Sequence, residues 1–316
     1  MTYILLILGF ALLIKGADFF VEGASKIAMS LRVSPLLVGL TIVAFGTSSP
    51  EATVSIFAAL EDNAGVSIGN VVGSNIFNIT FVVGMTALIF PLKVESETIR
   101  KEIPFTLLAS VALFILISDS SLQGFNENFL TRSDGIIFLL FFSIFLYYVF
   151  EIARKGRDQK EPVNQAKAPM GKNILLTVGG LAAIIFGGEF VVSSATDIAL
   201  SFGMSETLVG LTIVAVGTSL PELMTSITAA IKKESEIALG NIVGSNIFNI
   251  LFVLGVSSVI SPLSVDHKIF TDILLMVILT VILLVFSRSN YKVGRIEGGL
   301  LAASYIVYMI YIIIRN

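Results

Sequence analysis

Long apolar runs alternate with short polar connections along the whole chain. A helix needs about 20 apolar residues to cross a bilayer, so this pattern predicts an all-α polytopic membrane protein with ten transmembrane helices. The predicted helices lie near residues 2–28, 35–60, 66–90, 104–118, 134–152, 173–200, 206–231, 237–260, 270–287 and 297–314.

Composition supports the membrane class and excludes several kinds of chemistry. The 316 residues are 55% hydrophobic and only 14% charged, which is too apolar for a soluble fold. The chain has no cysteine, so disulfides and thiolate metal sites are excluded. Its one histidine, His267, lies in a short polar connection, which argues against a histidine-built zinc or iron site.

The strongest signal is an internal repeat. Val38–Ala44 has the same sequence as Val209–Ala215, and Gly69–Ile79 differs from Gly240–Ile250 at one position in eleven. Both blocks are offset by 171 residues, so the first three helices of each half correspond without insertion. We predict a first five-helix repeat at 1–153, a linker at 154–172 and a second five-helix repeat at 173–316.

Five is an odd number, so the second repeat is expected to enter the membrane in the opposite sense. Placing residues 154–172 in the cytoplasm, with both termini outside, puts most of the 20 lysines and arginines on the inner side, as the positive-inside rule requires. Equivalent connections also exchange charge: Lys26 and Arg32 lie near the end of the first helix, whereas Asp197 and Glu206 flank the matching connection in the second half. We therefore expect an inverted-topology repeat in the cytoplasmic membrane, an arrangement typical of secondary transporters.

Two related stretches place acids within the apolar runs. Residues 46–51 read Gly-Thr-Ser-Ser-Pro-Glu, and residues 217–222 read Gly-Thr-Ser-Leu-Pro-Glu. A carboxylate at membrane depth is costly and by default indicates an ion or substrate site. Pro50 is expected to break its helix and to free nearby carbonyls, such as that of Ala44, as oxygen ligands.

A second repeated motif adds hydroxyl and amide groups. Residues 73–78 read Gly-Ser-Asn-Ile-Phe-Asn, and we expect a second helix break there, with Ser74 and Asn78 on one face. Every predicted ligand is an oxygen, which favours hard cations. Calcium accepts six to eight oxygen ligands in flexible geometry. Sodium has a similar size and half the charge, so one cage is expected to hold calcium or sodium in turn.

These paired motifs, over residues 16–92 and 187–263, resemble the alpha-repeats of the sodium/calcium exchanger family in the calcium/cation antiporter superfamily. The resemblance implies a prokaryotic, non-enzymatic antiporter that exchanges Na+ for Ca2+ by alternating access and exports calcium. It implies no organic cofactor, nucleic acid or obligate protein partner. The implied ligands are Glu51, Glu222, Thr47, Ser48, Thr218, Ser219, Ser74, Ser245, Asn78, Asn249 and the carbonyls of Ala44 and Ala215.

The resemblance also bears on the counter-ion. Some relatives have an aspartate at the position of Asn249, where the potassium-dependent branch uses an acid, so the asparagine argues against potassium coupling. Proton/calcium exchangers of the superfamily typically have a different acidic motif, which favours sodium. The runner-up is a proton-coupled calcium antiporter, and a requirement for a sodium gradient at fixed pH distinguishes the two.

The same residues also occur in proteins of other functional classes. An intramembrane enzyme needs a nucleophile with its base, catalytic aspartates or a metal with activated water, and no histidine or cysteine accompanies the serines. A passive channel also uses glutamate rings, but an inverted repeat favours alternating access. A buried acid can pair with a base to hold helices together, and serines and amides can serve as packing contacts between helices. For Asn75 and Asn246 we favour a role in satisfying freed backbone groups.

Overall fold

The computed structural model describes residues 2–96, 98–159, 170–204, 213, 215–289 and 291–315. The first part of the predicted helix at 206–231 lies outside these ranges. The helices, in chain order, are α1 (Thr2–Leu31), α2 (Pro35–Thr47), α3 (Ser49–Leu60), α4 (Ala64–Ile89), α5 (Ile103–Leu116), α6 (Asp119–Gln123), α7 (Arg132–Gln159), α8 (Met170–Ser201), α9 (Ala215–Gly217), α10 (Leu220–Ile231), α11 (Ser235–Ile260), α12 (His267–Arg288) and α13 (Arg295–Arg315).

The long helices have the length and surface of membrane spans. Among the described residues, seven helices (α1, α4, α7, α8, α11, α12 and α13) are long and apolar enough to cross a bilayer. The helices α2 and α10 are shorter apolar helices. Large apolar side chains face outward, such as Ile4 at 72% exposure and Tyr147 at 68%. Such an apolar exterior is typical of a surface that lipid covers.

The predicted helix break at the first motif is present in both halves. Ser48 separates α2 from α3 with φ −82° and ψ 8°, and Ser219 separates α9 from α10 with φ −93° and ψ 8°. Pro50 and Pro221 sit in the first turn of the helix that follows, where a missing N–H leaves no intrahelical bond unmade. The break therefore starts a new helix at each acid.

The predicted break at residues 73–78 is wrong. The helix α4 runs without interruption from Ala64 to Ile89, and its irregularity is a π-helical segment at Asn78–Val82. The helix α11 has the corresponding segment at Phe248–Val253. Both sequences lack proline, so the backbone can widen by one residue per turn without losing the helix.

The longest contact between the halves joins α1 to α8. A Cβ on Gly187 would lie 2.8 Å from the carbonyl oxygen of Gly9, and a Cβ on Gly180 would lie 2.7 Å from that of Gly16. Residue numbers rise along one helix as they fall along the other, so these equivalent helices are antiparallel. The glycines let the two backbones approach closely, as small residues do at membrane helix interfaces.

The last helix of each half packs on the other half. A Cβ on Gly84 of α4 would lie 2.7 Å from Gly298 O of α13, and a Cβ on Gly135 of α7 would lie 2.7 Å from Gly255 O of α11.

The structure also contains strands that the sequence did not predict, in two antiparallel pairs. These are β1 (Leu92–Lys93) with β4 (Lys292–Val293), and β2 (Phe129–Leu130) with β3 (Leu263–Ser264).

The helices on either side of the predicted linker are longer than the sequence predicts. The helix α7 continues to Gln159 and α8 begins at Met170, so both helices extend into the stretch 154–172. Residues 160–169 lie outside the described ranges. The division of the chain at 153 and 173 stays a prediction.

Candidate cation site

The helix breaks place two acids at the centre of the molecule. Glu51 lies in the first turn of α3 and Glu222 in the first turn of α10, and both are completely buried. The amino-terminal end of a helix carries partial positive charge, which helps to hold a carboxylate there. In the described part of the chain neither acid forms an ion pair, so the interpretation as a paired structural acid is not supported.

Hydrogen bonds cross between the halves at these acids. Ser48 Oγ donates to Glu222 Oε1 at 2.7 Å, and Ser219 Oγ donates to Glu51 Oε1 at 2.8 Å. The serine of each break therefore contacts the acid of the other. This reciprocal pair brings both acids and both serines together.

Amides from α4 and α11 form a second layer of contacts between the halves. Asn78 Nδ2 donates to Asn246 Oδ1 at 3.2 Å, and Asn249 Nδ2 donates to Asn75 Oδ1 at 3.3 Å. In addition, Asn75 Nδ2 donates to the backbone carbonyl of Asn246 at 3.4 Å. These bonds use the amide nitrogens of Asn78 and Asn249 and leave their side-chain oxygens available.

The carbonyl of Ala44 lies at the site, but the expected reason is wrong. Ala44 O accepts a hydrogen bond from Ser48 N at 3.0 Å, so the proline has not freed it. Ser245 Oγ lies 3.4 Å from both Ala44 O and Glu222 Oε1, which brings α2, α10 and α11 together. A carbonyl oxygen has two lone pairs. Here the hydroxyls of Thr47 and Ser245, at 3.3 and 3.4 Å, share the one that Ser48 N does not use.

The other candidates lie on the expected elements. Thr47 ends α2 and is buried, and Ser74 is buried on α4. Thr218 lies between α9 and α10, and Ala215 is the first residue of α9. Ten of the twelve candidates thus lie on α2, α4, α11 or the segment from α9 to α10. The other two are Ser48, at the first break, and Glu51, on α3.

The site has more buried acceptor oxygens than donors. Within the described residues, Glu51 Oε2, Glu222 Oε2, Asn78 Oδ1 and Asn249 Oδ1 are buried and have no hydrogen-bond donor. Leaving buried acceptors unsatisfied is costly. A hard cation ligated by carboxylate, amide, hydroxyl and carbonyl oxygens satisfies them.

Four asparagines make contacts that the sequence did not predict. Asn75 and Asn246 each accept a hydrogen bond from an amide of the other half, and Asn75 also donates to the backbone carbonyl of Asn246. Asn70 and Asn241 were not singled out, although each donates to the backbone carbonyl of an acid, Glu51 at 3.2 Å and Glu222 at 3.3 Å respectively. The position of Asn70 and Asn241 inside the repeated motif is the sequence feature that could have identified them.

The helical membrane fold and the buried oxygen site define an ion transporter, not an enzyme. The chain matches the family described as sodium/calcium exchanger protein over residues 1–151 and 172–314. It therefore belongs to the sodium/calcium exchanger family.

Similar proteins cover nearly the full length. The chain is 40% identical to the putative antiporter CaxA of Alkalimonas amylolytica, covering 96% of each chain. It is 32% identical to the sodium/calcium exchanger MaX1 of Methanosarcina acetivorans, covering 98% of this chain and 97% of MaX1. The structure matches that of the sodium-calcium exchanger NCX_Mj soaked with zero Na+ and Ca2+, with a TM-score of 0.84, 33% identity and 97% coverage of both chains.

Proposed function

We propose that this protein is a Na+/Ca2+ antiporter that exports calcium across the cytoplasmic membrane as sodium enters. The observation that carries this proposal is the reciprocal pair of bonds that joins Ser48 to Glu222 and Ser219 to Glu51. It gathers two carboxylates into one buried site made of oxygen ligands, which suits Ca2+ or several Na+ ions. MaX1 and NCX_Mj are named as sodium/calcium exchangers, which supports Na+ and Ca2+ as the two exchanged ions.

The negative charge of the site couples the movement of the two ions. Two buried carboxylates with no ion pair among the described residues make an empty, closed site costly. Binding of one Ca2+ or of Na+ ions neutralises the carboxylates and permits closure. The protein therefore changes sides when loaded and stalls when empty, and the two ions exchange because they compete for the same oxygens.

The proposed ligands are those that the sequence indicated. The two carboxylates carry the charge, and hydroxyl, amide and carbonyl oxygens complete the shell. The set is Glu51, Glu222, Thr47, Ser48, Thr218, Ser219, Ser74, Ser245, Asn78, Asn249 and the carbonyls of Ala44 and Ala215.

The proposed architecture is ten transmembrane helices in two inverted halves of five. The antiparallel packing of α1 against α8 supports it, because equivalent helices of an inverted repeat run in opposite directions. The linker lies in the cytoplasm and both termini lie outside, as the loop charges favour. With this orientation the amino-terminal end of α4 is extracellular and that of α11 is cytoplasmic.

Transport in proteoliposomes tests the proposal. Sodium-loaded liposomes are diluted into sodium-free buffer at clamped pH, and uptake of radioactive calcium is followed. We expect uptake that requires the sodium gradient and disappears with Glu51→Gln. The matched control is Glu127→Gln, which removes an acid from the exposed segment between α6 and β2 and should transport normally.

The second candidate is a proton/calcium antiporter, because buried carboxylates can bind protons in place of cations. Calcium uptake driven by a proton gradient in the absence of sodium would establish this alternative. No calcium flux with either gradient, in protein shown to be folded, would refute calcium as the substrate.

A further inference from the structure

A stacked pair of phenylalanine rings lies at the π-helical segment of α4 and again at that of α11. In α4 the ring centroids of Phe77 and Phe81 lie 5.2 Å apart, with an interplanar angle of 25°. In α11 the ring centroids of Phe248 and Phe252 lie 4.8 Å apart, with an interplanar angle of 18°. In each helix the asparagine of the proposed ligand set comes directly after the first of the two rings. The rings and the ligand amide therefore share one turn of the helix.

A third ring from a neighbouring helix completes an aromatic triad at each pair. Tyr305 of α13 meets Phe77 edge-on, with centroids 5.0 Å apart at 74°, and lies 5.5 Å from Phe81. In the other half Phe142 of α7 meets the first ring of its pair edge-on, at 6.0 Å and 65°, and lies 5.4 Å from the second ring. Edge-to-face contacts at these distances are favourable for aromatic rings. The same three-ring arrangement thus occurs in both halves.

The π-helical turn is the geometry in which two fixed contacts of α4 form together. Asn78, at the start of the turn, donates to Asn246 Oδ1 at 3.2 Å. Beyond the turn, a Cβ on Gly84 would lie only 2.7 Å from Gly298 O. A π-helical turn contains one residue more than an α-helical turn and is the rarer form. Return to a regular α-helix would rotate one end of α4 against the other by about 100° and would separate these two contacts.

We propose that Tyr305 and Phe142 are positioning residues that hold the π-helical turns and so direct the amide oxygens of Asn78 and Asn249 towards the bound cation. Both rings are buried, and each packs edge-on against the phenylalanine that directly precedes its asparagine. The two amide oxygens are buried and, within the described residues, have no hydrogen-bond donor. This inference rests on the proposed function, and it adds two residues from outside the ligand set.

The prediction is that calcium affinity depends on an aromatic ring at these two positions. Tyr305→Leu should weaken calcium binding by about fivefold, which is the scale of one aromatic contact. Phe142→Leu should weaken it at least as much, because Phe142 also contacts Phe45, with centroids 5.7 Å apart. Tyr305→Phe should bind calcium as the unaltered protein does, since phenylalanine takes the equivalent place in the other triad.

The matched control is Phe114→Leu. It removes an edge-on ring contact with Phe270, at 5.9 Å, which joins α5 to α12 and involves neither π-helical segment. Because both leucine variants lose ring contacts, Phe114→Leu and Tyr305→Leu should both lower the unfolding temperature. Only Tyr305→Leu should weaken calcium binding.

The measurements are equilibrium binding of radioactive calcium to the full chain in detergent and thermal unfolding followed by circular dichroism. Equal affinities of folded Tyr305→Leu and Phe114→Leu overturn the inference. So does a loss of affinity with Tyr305→Phe as large as that with Tyr305→Leu. If Tyr305→Leu does not fold, Phe142→Leu provides the same comparison. If the unaltered protein binds no calcium, the proposed function fails and this inference fails with it.

A double-variant cycle tests whether the ring acts through its own asparagine. Tyr305→Leu, Asn78→Ala and the double variant are compared by the same binding measurement. If Tyr305 acts through Asn78, the double variant should bind calcium no more weakly than Asn78→Ala. In the matched cycle Tyr305→Leu is combined with Asn249→Ala, and there the two effects should multiply. Multiplying effects in the first cycle overturn the inference.

Discussion

The helices α4 and α11 have nearly the same sequence at the site but differ in how closely they are covered. A Cβ on Gly244 of α11 would lie 2.7 Å from the backbone oxygen of Leu40. A Cβ on Gly73, the equivalent residue of α4, would meet no heavy atom within 4 Å in the described structure. Asn241 is likewise buried where Asn70 is half-buried. The same motif therefore exists in two environments within one molecule.

This difference shows that packing around the motif is not encoded by the motif. Because the ligand residues are repeated, two arrangements with the roles of the halves exchanged are chemically similar, and a few kcal/mol suffices to favour one. Substitutions at equivalent positions can therefore separate what the site needs in both arrangements from what only one arrangement needs.

The largest effect is expected from the acids, and here substitutions in the two halves should have equal effects. We expect Glu51→Gln and Glu222→Gln each to lower calcium uptake by at least about a hundredfold, because each removes one of two charges that bind a divalent ion. The check is uptake of radioactive calcium in proteoliposomes. A variant of either acid that retains near-normal uptake would show that the halves contribute unequally and would contradict a shared site.

The next largest effect is expected from filling the glycine positions. Gly244→Val should disfavour the described arrangement by about 1–3 kcal/mol, since the side chain meets backbone that cannot move aside. Gly73→Val should leave this arrangement intact. The chain has no cysteine, so a single Gly69→Cys reports exposure of α4 to an impermeant maleimide.

Labelling of that cysteine should slow by about fivefold or more with Gly244→Val and should not slow with Gly73→Val. Equal slowing by both variants would mean that the difference in packing between α4 and α11 does not mark a conformational state.

A smaller effect is expected from the bridging amides. Asn75→Leu removes the acceptor that holds Asn249 at 3.3 Å, and Asn246→Leu removes the acceptor that holds Asn78 at 3.2 Å. Losing one neutral hydrogen bond costs about 1 kcal/mol, so calcium affinity should fall by roughly fivefold with Asn246→Leu. It should fall further with Asn75→Leu, which also removes the 3.4 Å bond from Asn75 Nδ2 to Asn246 O. Equilibrium calcium binding checks this, and unchanged affinity in both variants would show that these bonds serve packing alone.

The smallest effect is expected from an ion pair between α10 and α1 whose residues are not repeated in the other half. Lys232 Nζ lies 2.6 Å from Asp18 Oδ1, whereas the equivalent positions, Glu61 and Glu189, are both acids and both exposed. The pair is half-exposed, so it contributes at most about 1 kcal/mol. Lys232→Glu should change the labelling rate of the same cysteine by no more than about fivefold, and only at low salt. A larger change, or one that persists at high salt, would contradict a weak surface contact.

The helix pattern and the candidate site were predictable because their causes are local. Apolar runs of sufficient length and the proline in the first turn of α3 and α10 depend only on neighbouring residues. The repeat is visible by direct comparison of the two halves of the sequence. The break expected at residues 73–78 was wrong because glycine and asparagine permit a break without requiring one. The continuous α4 and α11, each buried along most of its length, favour a π-helical segment instead.

The amino-acid sequence by itself determined the membrane class, the two acids and their hydroxyl and amide companions, since each follows from residue type and spacing. Only the tertiary structure decided which oxygen meets which donor: that Ser48 bonds Glu222, that Asn241 holds Thr47, and that Ala44 O keeps its helical bond. These contacts join residues far apart in the chain, and two equal motifs cannot specify unequal packing, which arises from how whole helices lie against one another.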